Sequence, residues 1–266
     1  MAFGFLLGLN AQAQSSSGPR LWELGVFSVG LSQQAYPGAD QQLNRALTLP
    51  YFVYRGEVLR ADRDTTGLRA IKTDQYEIDV DFAGSFGAIN DEIEARRGMQ
   101  RLGTLVEIGP RLRWHLGAEP GGGRWRAEFP LRGVFDLNDR LSNRGLAFEP
   151  AMVFDRQVPN GWRYSARFGA IVADTSLAKT FYEVSSAEAT AQRPAYSASS
   201  GLVAWRASTF FSRELSADWR LFGFLSLNTV AGAANQASPL VRQTTGATAG
   251  LGVTYTWMRS EQRAKD

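Results

Sequence analysis

Residues 101–138 read RLGTLVEIGPRLRWHLGAEPGGGRWRAEFPLRGVFDLN. In the first arm Val106, Ile108, Pro110, Leu112, Trp114 and Leu116 share one parity, and Glu107, Gly109, Arg111, Arg113 and His115 share the other. Gly121-Gly122-Gly123 then turns the chain. In the second arm Trp125, Ala127, Phe129, Leu131, Phe135 and Leu137 alternate with Arg124, Arg126, Glu128, Arg132, Asp136 and Asn138. Period-2 alternation on both sides of a tight turn reads as a β-hairpin. Soluble strands usually stop near about five or six residues. A strand that crosses a bilayer at a tilt needs about 9–11, and both arms reach that length. So many guanidinium and carboxylate groups would not fill a dry core. The apolar parity is therefore assigned to lipid and the charged parity to an enclosed interior.

Working outward, the same alternation recurs along the chain. Strands are predicted at 21–31, 47–55, 57–63, 67–72 and 75–87, in the two arms, and at 146–155, 162–172, 203–211, 219–227 and 247–257. The resulting expectation is an all-β, transmembrane, antiparallel up-and-down β-barrel of about twelve strands, even counts being the rule for bacterial outer-membrane barrels. If both termini lie in the periplasm, the long connections at 32–46, 88–100, 174–200 and 228–245 all fall outside. The short ones at Gly56, Thr73-Asp74, 117–123, 156–161 and 213–218 then fall inside, which is the usual asymmetry. Within 174–200 the SLAKTFYEV segment reads as a short helix. No repeat of period 20–50 is present, which excludes a propeller or solenoid.

Composition narrows the function classes. The chain has 266 residues, 44% hydrophobic and 21% charged, with a formal net charge of +3. No run approaches 18 uninterrupted apolar residues, so no transmembrane helix is expected, and a barrel hides its membrane signal in alternation. Arginine is scattered over many strands rather than gathered in a basic block, which argues against nucleic acid as a partner. The absence of cysteine removes thiol catalysis and cysteine-based metal sites. Residues 1–13 hold a short apolar core, Ala2 to Leu9, and the small-residue motif Ala11-Gln12-Ala13. They are expected to be an export signal whose basic start lies further upstream. A linker at 14–20, a barrel at 21–257 and a charged periplasmic tail at 258–266 complete the predicted organisation.

The inward candidates are Glu77, Asp79, Asp81, Glu107, Arg111, Arg113, Arg126, Glu128, Arg132, Arg163 and Arg167. An antiparallel register placing Asp79 opposite Arg111 also places Glu77 opposite Arg113, and either parity-allowed register across the triple glycine gives Glu128 an arginine. Facing opposite charges stabilise a sheet by about 0.2–1 kcal/mol per pair. The first reading is an interior plugged by its own ion pairs; the second is an arginine-lined, anion-preferring pore; the third is a ligand pocket. Trp114, Trp125, Trp162, Trp219 and Trp257 all fall near one predicted rim. That placement fits an interfacial aromatic girdle touching outer-membrane lipids, against the plainer alternative of a soluble core.

His115 is the single histidine. A Ser-His-acid hydrolase acting on lipid would need it as base. It sits on the charged parity beside a turn, and no G-x-S-x-G or S-x-x-K occurs to supply an activated serine. A structural role is preferred, with no catalytic, cofactor or metal residue assigned; no EF-hand spacing is present either.

Three further segments carry a resemblance. Tyr36-Pro37-Gly38-Ala39-Asp40 followed by Leu49-Pro50-Tyr51-Phe52-Val53-Tyr54-Arg55-Gly56 resembles the start of the MltA-interacting protein (MipA)/OmpV family of outer-membrane barrels. Ala237-Ser238-Pro239-Leu240-Val241 is similar to its Ser-Pro-Leu segment, and the run from Gly252 through Tyr255 to Trp257 to its closing strand. The resemblance spans about 21–257. It implies a non-enzymatic scaffold of the cell envelope, without cofactor. The partners it implies are periplasmic murein enzymes, a cleaving transglycosylase and a synthesising penicillin-binding protein. The alternative class is a small-solute channel.

Overall fold

The computed structural model describes residues 20–55, 59–61, 66–68, 71–85 and 93–263. The predicted export signal, all of the linker except Arg20, and the turn at Gly56 lie outside the described residues.

The strands are β1 (Trp22–Gln34), β2 (Gln42–Arg55), β3 (Leu59–Ala61), β4 (Thr66–Leu68), β5 (Ile71–Lys72), β6 (Tyr76–Ser85) and β7 (Leu105–Ala118), followed by β8 (Gly123–Asp136), β9 (Ser142–Phe148), β10 (Ala151–Gln157), β11 (Trp162–Ala173), β12 (Gly201–Glu214), β13 (Trp219–Thr229) and β14 (Thr245–Arg259). They form one antiparallel sheet of 14 segments, ordered β4-β3-β2-β1-β14-β13-β12-β11-β10-β8-β7-β6-β5, with β9 between β8 and β11. The first strand pairs with the last, from Glu23↔Arg259 to Ser32↔Ala249. The two ends of the path, β4 and β5, follow one another in the chain, and β4 also lies beside β6. With β4 and β5 counted as one stave and β9 and β10 as another, the 14 segments make twelve staves of an up-and-down barrel.

The wall is turned inside out relative to a soluble protein. Phe52 and Phe168 are 58% exposed and Leu251 57%, whereas Asp79 is 1%, Glu107 2% and Arg132 3% exposed. Alternation along each strand therefore puts a greasy belt outside and charge within, as a bilayer demands. No helix of the described residues is long and apolar enough to cross a membrane. The observed strands run longer than expected at several ends. β2 begins at Gln42 rather than 47, which shortens the first loop to 35–41. β14 continues past Trp257 to Arg259. Residues 260–263 run beside residues 20–21, with Leu21 N–H donating to Gln262 O at 2.9 Å and Arg20 bridging Arg263. The predicted tail is thus partly sheet margin. The single strand expected at 146–155 is broken at Glu149-Pro150, because proline has no N–H to give the ladder.

The interior has two sectors. β6, β7, β8, β10 and β11 supply charge. β1, β12 and β13 supply Val29, Leu31, Phe210, Phe222 and Phe224, a buried apolar cluster. Space for the rings comes from β14. A Cβ at Gly252 would stand 2.5 Å from the Phe222 ring and 2.4 Å from Ser28 O.

Short turns gather at one end of the barrel and long connections at the other. The long ones hold a 3-10 turn at Glu94–Arg96 and helix α1 at Thr175–Tyr182. Asp174 caps the helix by accepting from Leu177 N–H at 2.8 Å. The 137–141 connection carries two left-handed residues, Arg140 at φ 48° and Leu141 at φ 59°. That conformation costs a non-glycine residue about 1–2 kcal/mol. Leu141→Gly is therefore expected to raise the urea midpoint of unfolding, by a net stabilisation of up to about 1 kcal/mol once glycine's extra entropy is subtracted. A lowered midpoint would show that the leucine side chain, not the backbone, dominates there.

Candidate functional site

The charged sector begins with the register of β6 on β7, which pairs Asp79 with Arg111 and Glu77 with Arg113. β8 then sets Glu128 opposite Arg113. From these positions the side chains join into one network. Arg111 donates to Asp79 through Nε at 3.0 Å and Nη2 at 2.7 Å, and its Nη1 stands 2.7 Å from Asp81. Arg113 lies 3.4 Å from Asp79, 3.7 Å from Glu77 and 3.8 Å from Glu128. Arg132 is the hub: Asp81 at 2.5 Å, Glu107 at 2.9 Å and Glu149 at 2.8 Å. Glu128 also holds Arg126 and Arg167, each at 2.6 Å. Arg126 reaches on to Asp155, and Arg206 stands 3.7 Å from Glu149. Arg163 belongs to the margin, pairing at 3.2 Å with a half-exposed Glu214.

The network brings together ten of the eleven inward candidates; Arg163 is the one it leaves out. It also recruits three residues that the alternation left unmarked. Glu149 sits at the strand break, outside any regular pattern. Arg206 lies on β12, where both parities carry apolar groups. Asp155 is close to a turn. Counting these, seven carboxylates (Glu77, Asp79, Asp81, Glu107, Glu128, Glu149, Asp155) face six arginines (Arg111, Arg113, Arg126, Arg132, Arg167, Arg206). Charge among the described residues of this sector is close to balanced, so it has no cationic surplus to attract anions.

His115 is 42% exposed on its side chain, 4.0 Å from Glu77, next to a bulge between His115 and Gly117. Trp114, Trp125, Trp219 and Trp257 are exposed and Trp162 is half-buried, all at the short-turn end. Trp22, at the start of β1, joins them there. Trp205 belongs to the opposite end and stacks on Phe168 at 5.9 Å with an interplanar angle of 4°.

The long connections pack into an apolar cap over that opposite end. Tyr36, Ile93, Leu102, Leu177, Phe181, Tyr182 and Leu240 are buried in one apolar cluster, which continues down to Val134 and Ile171 of the wall. Backbone carbonyls receive its polar atoms: Tyr36 OH donates to Leu240 O at 2.7 Å, Tyr182 OH to Pro37 O at 3.0 Å, and Arg96 Nη1 to Phe181 O at 3.0 Å. Burial pushes the Tyr36 hydroxyl up to about 12 and raises Tyr182 still more strongly, with Tyr36 adding to the second shift. The Ser185 hydroxyl donates to Glu188, 2.7 Å away, and holds its carboxyl below the ordinary range.

A raised tyrosine pKa means that the folded cap keeps protons the unfolded chain has already released. The tyrosine contribution is therefore intact below about pH 10, the ordinary value, and is lost as pH climbs towards 12. Ultraviolet titration should show two late phenols, one of which disappears in Tyr36→Phe. Ionisation of all phenols together near pH 10 would contradict the packing of the cap.

Among solved structures the chain is similar to the NanC porin, at 10% identity and TM-score 0.37, covering 88% of this chain and 98% of that one. It is similar to the translocator domain of the autotransporter NalP from Neisseria meningitidis, at 9% identity and TM-score 0.36, covering 89% and 88%. It is also similar to a Pseudomonas aeruginosa FadL homologue, at 9% identity and TM-score 0.36, covering 93% and 74%. No curated protein matches its sequence. A family model described as MltA-interacting protein MipA matches residues 25–257.

Proposed function

The chain belongs to the MltA-interacting protein MipA family and is a β-barrel of the bacterial outer membrane, and on that premise we propose that it is a non-enzymatic scaffold for periplasmic murein enzymes. The observation that carries this reading is an interior whose charges are matched by one another. Arginine and carboxylate pair across the charged sector, aliphatic and aromatic side chains cluster in the other, and an apolar cap covers one end. Such an interior offers a passing anion no surplus of positive charge among the described residues. The family's name points the same way, to an interacting protein rather than a pore or a catalyst. His115, half-exposed and beside Glu77, serves the margin of the ion network rather than acyl transfer.

In this reading the short-turn end faces the periplasm, where compact turns belong, and its tryptophans sit at headgroup level. Leu215, exposed in the turn after β12, is then presented to partners on the periplasmic side. A photoactivatable residue at position 215 should capture a murein transglycosylase or synthase in intact envelopes. The same residue at position 242, at the capped end, should not. Purified protein in a planar bilayer should give no discrete conductance steps. Regular salt-dependent openings, or capture only from position 242, would reject the scaffold.

A further inference from the structure

The outer wall is not evenly covered. On its capped half a groove of about 460 Å³ is bounded by Phe168, Trp205, Leu227, Thr229, Gln243 and Thr245. Strand register explains it. One outward row across four strands reads Phe168, Ala207, Leu227, Ala247, and the next reads Ala170, Trp205, Thr229, Thr245. Small residues at 207 and 247 leave a trough between bulky neighbours. The stacked Phe168 and Trp205 rings form one wall, and Leu227, 52% exposed, stands between the two alanines. At the loop margin the lining turns polar, with Thr229, Gln243 and Thr245. Arg242 follows at the rim, half-exposed and 3.9 Å from Asp40.

We propose that this groove holds one acyl chain of an outer-leaflet lipid, the lipid A of lipopolysaccharide, with its headgroup at the Gln243 end; the choice of leaflet rests on the orientation proposed above. Three features select a lipid. The groove is continuous with the apolar belt that faces the bilayer, so hydrocarbon surrounds it. Its volume falls in the range of pockets that retain small ligands. Its polarity runs from apolar in the wall to polar at the rim, the same direction as a lipid standing in its leaflet. An ordinary boundary lipid would meet a convex wall; here the chain lies in a recess against two aromatic faces, which lengthens its residence.

The test uses the full barrel, reconstituted in nanodiscs of phosphatidylethanolamine and lipid A in equal parts, then released into mild detergent for native mass spectrometry. The wild type should carry one lipid A. Ala207→Trp, which fills the trough from its floor, should lower that occupancy by about tenfold or more, the equivalent of about 1.4 kcal/mol. Leu251→Trp, on the same belt but outside the groove, should leave it unchanged. The heat-dependent gel shift verifies that both variants are folded. Equal occupancy in Ala207→Trp and wild type overturns the proposal, as does a wild type released without lipid or as a lipid-free dimer. None of these outcomes bears on capture of murein enzymes from position 215, so the two readings fail separately.

Discussion

Arg132→Met is expected to prevent recovery of the folded barrel, seen as loss of the heat-dependent gel shift after refolding. Arg132 is the one cation that touches Asp81, Glu107 and Glu149 together, and all four side chains are buried. Removing one partner of a buried pair costs about 3–5 kcal/mol, because the other charge is stranded rather than merely unpaired. Here Glu107 would be stranded outright, while Asp81 keeps Arg111 and Glu149 keeps only Arg206 at 3.7 Å, a large loss against a total stability of about 5–15 kcal/mol. Glu107→Gln placed on top of Arg132→Met removes that stranded charge and should restore much of the yield. The comparison is Arg163→Met. Its partner Glu214 is half-exposed and solvent screens the pair, so the change should cost less than about 1 kcal/mol. If Arg132→Met refolds as well as Arg163→Met, the network is ornament and the barrel is held by its aromatic sector.

Phe181→Asp should separate the cap from the wall. Phe181 is 2% exposed among Tyr182, Leu177 and the residues they cover. A carboxylate there would replace a ring packed in the apolar cluster, and burying its charge costs more than the cap can absorb. The low-cost escape is for the 174–200 connection to lift away, while the ladders of β11 and β12 persist. Brief trypsin treatment should then cut at Lys179 or Arg193 in the variant, and the membrane-embedded remainder should keep its gel shift. Ser176→Asp, exposed in the first turn of α1 where a negative charge suits the helix dipole, should stay resistant. Resistance in both would mean that the cap does not rely on its apolar centre.

The sequence discloses this fold wherever the two sides of a strand differ. β6, β7 and β8 alternate sharply, and the need to match Asp79 with Arg111 is enough to set their register. Where both sides are apolar the signal vanishes. Leu221 and Phe222 are consecutive, and parity alone cannot tell which side chain turns inward; the pairing of Phe222 with Gly252 decides. The cap is hidden for another reason. Tyr36 and Leu240 meet through a hydrogen bond across 204 positions, a proximity created by barrel closure and by no local pattern. Glu149 was invisible because Pro150 interrupts the very rhythm that would have exposed it. The helix in 174–200 was legible, since SLAKTFYEV places Leu177, Phe181 and Tyr182 on one side, behind an aspartate that caps it.

The pairing of β1 with β14 means that the chain's beginning and end are neighbours along the wall. A growing polypeptide therefore has no partial version of this molecule to rest in. Until Thr245–Arg259 arrives, β1 and β13 each present a naked row of amides and carbonyls that hydrocarbon cannot solvate. Insertion must wait for the last segment to be made, so a message cut short before the codons for Thr245–Arg259 yields no smaller barrel, only a chain with nowhere to go but a protease.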